Sequence, residues 1–137
     1  MRQRGPVQNF KDLLDWQRAV ELFVLVHGVV RRIPTPERYD FGSQMRRAAR
    51  SVSANIAEGF GRDHLGDYLR SLSVARGSAM EVESDLLVLK AVDLVPVAEL
   101  QSPISCADEL ARMIASHAKN LRSQFPKGSG PSTFFDR

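Results

Sequence analysis

Apolar residues recur at intervals of three and four through four long segments of this chain, and that spacing settles its fold class first. In the first segment, Asp12 to Arg32, the stripe reads Leu13, Trp16, Val20, Phe23, Val26 or His27, and Val30. Leu22, Val24, Leu25 and Val29 add apolar surface on further faces of the same helix. A helix apolar on most sides is buried on most sides, and a small monomeric bundle offers too few neighbours for that. The chain is therefore expected to associate, most simply with copies of itself. Pro34 and Pro36 end the helix, because neither can continue its hydrogen-bond ladder.

The second helix is expected from Arg38 or Phe41 to Glu58, with Phe41, Met45, Ala48 or Ala49, Val52 and Ile56 as its core stripe. Ala48, Ala49, Ser51, Ser53, Ala54 and Ala57 are small and let a neighbouring helix come close. Gly59 stands where a glycine past the helix end belongs, with Gly61 loosening the turn. Asp63 reads as the N-cap of a third helix carrying Leu65, Leu69, Leu72, Ala75 or Arg76, Ala79, Val82, Leu86 and Leu89 at near-heptad spacing. Gly77 in its middle costs about 1 kcal/mol of helix propensity, and a close helix crossing there is the expected compensation. The fourth helix is expected to begin between Val97 and Pro103, with Ser102 and Pro103 as N-cap and first residue. Its stripe is Ile104, Ala107, Leu110 or Ala111, Ile114, Ala118, Leu121 and Phe125, and Pro126 stops it.

No strand pattern competes, so the prediction is an all-α, up-down antiparallel four-helix bundle over residues 10–125. Residues 1–9 are expected to be a flexible N-terminus. Residues 126–137, rich in Gly, Ser and Pro, are expected to be a disordered tail whose Phe134 and Phe135 suit docking on a neighbour. A chain of 137 residues, 43% hydrophobic and 26% charged, has the composition of one globular domain. Its single cysteine, Cys106, excludes an internal disulfide framework and a Cys-rich zinc module. No apolar run reaches the roughly 18 residues of a membrane span, and no apolar stretch follows the basic N-terminus as in a signal peptide. A cytoplasmic location is expected.

Helical bundles can house di-iron centres, but the sequence has no Glu-x-x-His pair, and His27, His64 and His117 lie far apart. Each histidine is expected at the surface or the core edge. Cys106 has no histidine at a helical neighbour position and reads as a core residue, and no serine sits in a Gly-x-Ser-x-Gly elbow. The glycines of residues 59–66 have the wrong spacing for a dinucleotide fingerprint and no P-loop lysine. Glu81, Glu83 and Asp85 suit a solvated face or arginine partners. No enzyme activity, metal or cofactor is expected.

The arginines stand out instead. Residues 31–62 hold seven Arg against three Asp or Glu, whereas residues 63–93 hold three Lys or Arg against six Asp or Glu. Arg46, Arg47 and Arg50 occupy one and a half turns, and Arg62 follows in the loop. Planar guanidinium forks suit phosphate, and sequence-independent nucleic-acid binding needs little more than a row of them. They also suit ion pairs with Glu58, Glu81, Glu83 and Asp85, and both uses can hold for different arginines. No aromatic residue is interleaved with them, so base stacking is not expected. Asn55 and Glu58 sit in a small apolar run, where Asn55 is expected to bond across a helix interface and Glu58 to face an arginine.

The run Gln44-Met45-Arg46-Arg47-Ala48-Ala49-Arg50-Ser51-Val52-Ser53-Ala54-Asn55-Ile56-Ala57-Glu58-Gly59 resembles the signature of the bacterial four-helix-bundle family named for proteins encoded in 23S rRNA intervening sequences. Phe10-Lys11-Asp12-Leu13-Leu14-Asp15-Trp16-Gln17-Arg18-Ala19 resembles the family's opening, and Ala75-Arg76-Gly77-Ser78-Ala79-Met80-Glu81-Val82-Glu83 its third-helix motif. Together they cover about residues 9–125, with Arg46, Arg47, Asn55 and Glu58 at matching positions. Trp16, Asn55, Glu58, Gly59, Gly77 and Glu81 are taken as structural or interface residues. The resemblance implies a homo-oligomeric ring, a pentamer. It extends to the accessory variability determinant of diversity-generating retroelements, a pentameric bundle that binds nucleic acid and a reverse transcriptase. Two functions follow as expectations. The first is backbone binding of RNA or DNA through Arg46, Arg47, Arg50 and Arg62. The second is a scaffold for a protein partner, its arginines spent in ion pairs between subunits.

Overall fold

The computed structural model describes residues 6–125, so the expectations placed on the tail and on Pro126 lie outside the described residues. Four long helices are present, α1 (Leu14–Val30), α2 (Ser43–Phe60), α3 (Leu65–Ala91) and α4 (Val97–Gln124), with no strand among the described residues. Helix α2 packs against α1 and α3, and α4 against α3 and α1, so α1 and α3 occupy opposite corners. The direction follows from the contacts: Ser51 meets Ser78 while Gly59 faces Ser71, so α2 and α3 run antiparallel. Asp15 and Arg18 meet His117 and Glu109 in the same reversed order. The core is Leu22, Val26, Met45, Val52, Ile56, Leu72, Leu86, Leu110 and Ile114 with their small neighbours. Among the described residues no helix is long and apolar enough to cross a membrane.

A single 3-10 turn, Phe10–Asp12, leads into α1 through a capping box. The Asn9 carboxamide oxygen accepts from the Lys11 amide (2.8 Å), and the Asp12 carboxylate accepts from the amides of Asn9 and Gln8 (3.2 and 2.9 Å). The buried face of α1 is Asp15, Ala19, Leu22, Val26, Val29 and Val30. That corrects the expected stripe: Trp16 and Phe23 lie at its margin and Val20 is exposed. A helix apolar on many sides fits two phases, and the member that selects the true one is a charged residue, Asp15, which an apolar count passes over.

The chain is helical without a break from Thr35 to Phe60: a short turn at Thr35–Glu37, a π-turn at Arg38–Gly42, then α2. Gly42 joins them in helical conformation, and a Cβ there would stand 2.8 Å from Cγ1 of Val30, so the end of α1 fixes this choice.

Two glycine expectations are reversed. Gly59 does not close α2; it is buried within the helix, where a Cβ would meet Cβ of Ser71 at 2.8 Å and Cδ1 of Tyr68 at 3.0 Å. The close helix crossing expected at Gly77 is therefore at Gly59. Gly77 is exposed, with nothing within 4 Å of where its Cβ would be. Gly61 ends the helix, its amide donating to the carbonyls of Ala57 and Glu58 (3.3 and 3.1 Å). One start differs, and another falls at the early limit of its expected range, without the Ser102–Pro103 cap. His64 rather than Asp63 occupies the N-cap position of α3, without a side-chain cap. Helix α4 begins at Val97 after Pro96, leaving Pro103 buried inside it. The missing Pro103 N–H removes one bond, to the Glu99 carbonyl, and a helix held by Leu100, Cys106, Ala107 and Leu110 in the core survives that loss.

Candidate nucleic-acid interface

The basic segment separates into engaged and open arginines. Arg38 donates from Nε to the Ile33 carbonyl (3.0 Å) and from a terminal nitrogen to the Arg31 carbonyl (3.2 Å), which pins the turn between α1 and α2. Arg32 pairs with Glu99 at 3.1 Å. Arg62 pairs with Glu58, so Glu58 does face an arginine, one turn along its own helix. Arg46, Arg47 and Arg50 are all exposed. Among the described residues Arg46 and Arg50 have no carboxylate partner, and Arg47 reaches only the Gln44 carboxamide (3.2 Å). Three open guanidinium groups thus stand on the outer side of α2, with Arg46 and Arg50 one turn apart.

The α3 carboxylates suggested as their partners do not pair with them within one chain. Among the described residues Glu81, Glu83 and Asp85 of α3 form no ion pair. Asp85 is half-buried, and burial, then the nearby charge of Glu81, pushes its carboxyl above the usual range. The α2–α3 seam is polar in another way. The Asn55 amide donates to the carbonyl and hydroxyl of Ser51 (2.8 and 3.0 Å), and the Ser78 hydroxyl donates to that of Ser51 (2.8 Å). Asn55 therefore acts across the interface through Ser51 rather than directly. Trp16 is half-buried, its ring edge-on to Phe10 with centroids 5.2 Å apart.

One aromatic does belong with the arginines. Tyr39 is 79% exposed. Because helix continues through the π-turn, Tyr39, Ser43, Arg47 and Arg50 follow at spacings of four, four and three, which is one helix face. The sequence reading missed this because it left the helix start open between Arg38 and Phe41 and considered only residues interleaved among the arginines.

A second missed cluster lies at the opposite end of α2. Asp15 of α1, His117 of α4 and Tyr68 of α3 form a chain: His117 Nδ1 is 2.7 Å from Asp15 Oδ2, and the Tyr68 hydroxyl is 2.8 Å from Nε2. With Asp15 ionised, Nδ1–H donates to it and Nε2 accepts the Tyr68 proton. The order carboxylate, imidazole, hydroxyl resembles an activated nucleophile. Here, though, Tyr68 is buried, and burial with the charge of Asp15 pushes its phenol above the usual range, opposite to activation. The chain works as a tie between helices. It borders an open cleft of about 690 Å³ that also presents Leu14, Arg112, Met113, Ser116 and Asn120. The only trace in the sequence is Asp15 at core spacing from Ala19 and Leu22. Cys106 is buried, and burial pushes its thiol up, as suits a core residue.

The family model described as 23S rRNA-intervening sequence protein matches residues 11–116. Among solved structures, the chain is similar to the crystal structure of a protein of unknown function from the S23 ribosomal protein family of Bacteroides thetaiotaomicron VPI-5482. The TM-score is 0.72 and the identity 20%, over 77% of this chain and 99% of that one, a likeness that carries the fold alone. No curated protein matches significantly.

Proposed function

The chain belongs to the 23S rRNA-intervening sequence protein family, and on that premise we propose a non-enzymatic helical bundle that assembles as a ring of five and binds RNA or DNA through the phosphate backbone. The observation that carries this reading is the trio Arg46, Arg47 and Arg50, exposed and without a carboxylate partner among the described residues. A buried or paired guanidinium has little left for phosphate, and these have nearly all of it. Arg62 is a weaker contributor, because Glu58 competes for it. Five copies multiply the formal charge of +3 and repeat the trio around an axis, so avidity makes weak sites effective. Assembly is supported by the outer face of α3, where Val74, Met80, Leu87 and Val88 are exposed around the open Gly77. Val24 of α1, at the opposite corner, is 64% exposed. Apolar faces on opposite corners suit a head-to-tail contact that closes into a ring.

A second reading rests on a specific observation: Glu81 and Asp85 border that apolar face without ion pairs of their own. In it, Arg46, Arg47 and Arg50 of one copy pair with α3 of the next, and the ring is a scaffold for a protein partner. One variant separates the two. Replacing Arg46, Arg47 and Arg50 together by Ala is expected to flatten the salt dependence of nucleic-acid affinity, read by fluorescence anisotropy, while light scattering shows an intact oligomer. Loss of the oligomer with no binding by wild type at low salt favours the scaffold.

A further inference from the structure

We infer that Tyr39 is a stacking platform for a base of a single-stranded nucleic acid whose phosphates run along Arg46, Arg47 and Arg50; this rests on the nucleic-acid reading above and specifies its substrate class. Tyrosine ordinarily buries its ring and finds a partner for its hydroxyl. Tyr39 does neither: at 79% it is the most exposed of the large apolar side chains among the described residues. It makes no hydrogen bond or ring contact among them. The backbone on either side of it is anchored. Arg38 beside it is fastened to two backbone carbonyls of the preceding turn, and Phe41 two residues on packs against the core. With the flanking residues anchored, binding has mainly the two side-chain torsions of the ring to order.

The placement fits a nucleotide chain. About 16 Å of helix separate Tyr39 from Arg50, the reach of a few nucleotides, with guanidinium groups at one end and an open ring at the other. Glu37 and Asp40 flank Tyr39 and are exposed, so phosphate is repelled from the ring end and drawn to the arginine end. What the ring end can accept is the neutral face of a base. A duplex keeps those faces inside its stack, and a single strand offers them, so Tyr39 favours single strands without reading their sequence.

The test uses the whole protein and three labelled probes in anisotropy titrations: a single-stranded oligoadenylate of about twelve nucleotides, an abasic strand of the same length, and the corresponding duplex. Tyr39→Ala is expected to weaken oligoadenylate binding about tenfold, leave the abasic strand, the duplex and the salt slope unchanged, and keep the melting temperature. Tyr39→Phe is expected to retain wild-type affinity. Unchanged oligoadenylate binding by Tyr39→Ala, where the triple arginine variant loses it, overturns the platform and leaves the arginine row standing. Equal losses on all three probes, or a smaller oligomer in light scattering, overturn it as well, because Tyr39 then serves packing. Failure of wild type to bind any probe at low salt overturns the nucleic-acid reading itself and the platform with it.

Discussion

The hydroxyl of Tyr68 lies 2.8 Å from Nε2 of His117, and through that imidazole a residue of α3 is tied to the buried carboxylate of Asp15 on α1. Three helices far apart in sequence are thereby fixed at one end of the bundle, each polar group satisfying the next. Replacing His117 by Ala leaves two buried groups without partners. The expected loss is about 2–3 kcal/mol, read as a melting temperature lower by roughly 10 °C. A change within 2 °C of wild type would show that water replaces the imidazole without cost.

Burial of the Tyr68 phenol also makes stability sensitive to alkali. Tyr68 has its phenol raised above the ordinary value, first by burial and then by the charge of Asp15. The unfolded chain thus loses this proton at lower pH than the folded chain does, so unfolding is favoured increasingly once pH passes about 10. The contribution is fully present below that pH and declines above it. Tyr68→Phe, itself costing about 1 kcal/mol at neutral pH, is expected to show a smaller fall in melting temperature between about pH 9 and 11. Parallel pH profiles for the two proteins would remove Tyr68 as the titrating group.

The four helices, the α2 stripe from Met45 to Ile56 and the α3 stripe were legible in the sequence because each rests on apolar spacing alone. What escaped has physical causes. Asp15 and Tyr68 are tied into the core through His117, which is 102 and 49 residues away from them along the chain, and no local signal records such a meeting. Pro103 reads as a helix start by its own chemistry, and tertiary packing of α4 overrides that preference. The open arginines were legible as a cluster, but their freedom was not, since pairing depends on where Glu81 and Asp85 come to lie. Tyr39 needed the π-turn, which carries helix through the stretch that follows Pro34 and Pro36.

Gly59 and Gly77 respond oppositely to the same substitution. In Gly59→Ala the new Cβ meets Cβ of Ser71 and a ring carbon of Tyr68, neither of which can swing away without moving α3. The expected cost is about 1–3 kcal/mol. Gly77→Ala meets nothing within 4 Å and gains helix propensity, about 0.5–1 kcal/mol of added stability. Chemical denaturation of both variants checks the pair, and a destabilised Gly77→Ala would mean that another surface lies against it.

The outer face of α3 gives the sharpest test of assembly. Met80 and Leu87 are 51% and 46% exposed, so within one protomer a lysine at either position keeps its stem on the surface and its charge in water. Met80→Lys and Leu87→Lys together are therefore expected to change the stability of an isolated protomer by less than about 0.5 kcal/mol. If a second copy covers this face, the same two charges must be buried there without partners, at a cost of several kcal/mol per contact. The expected outcome is a folded protein, with unchanged helical circular dichroism, whose mass by light scattering falls to that of a single chain. An oligomer that survives both substitutions would place the contact elsewhere, and Val20 and Val24 of α1 would be the next positions to charge.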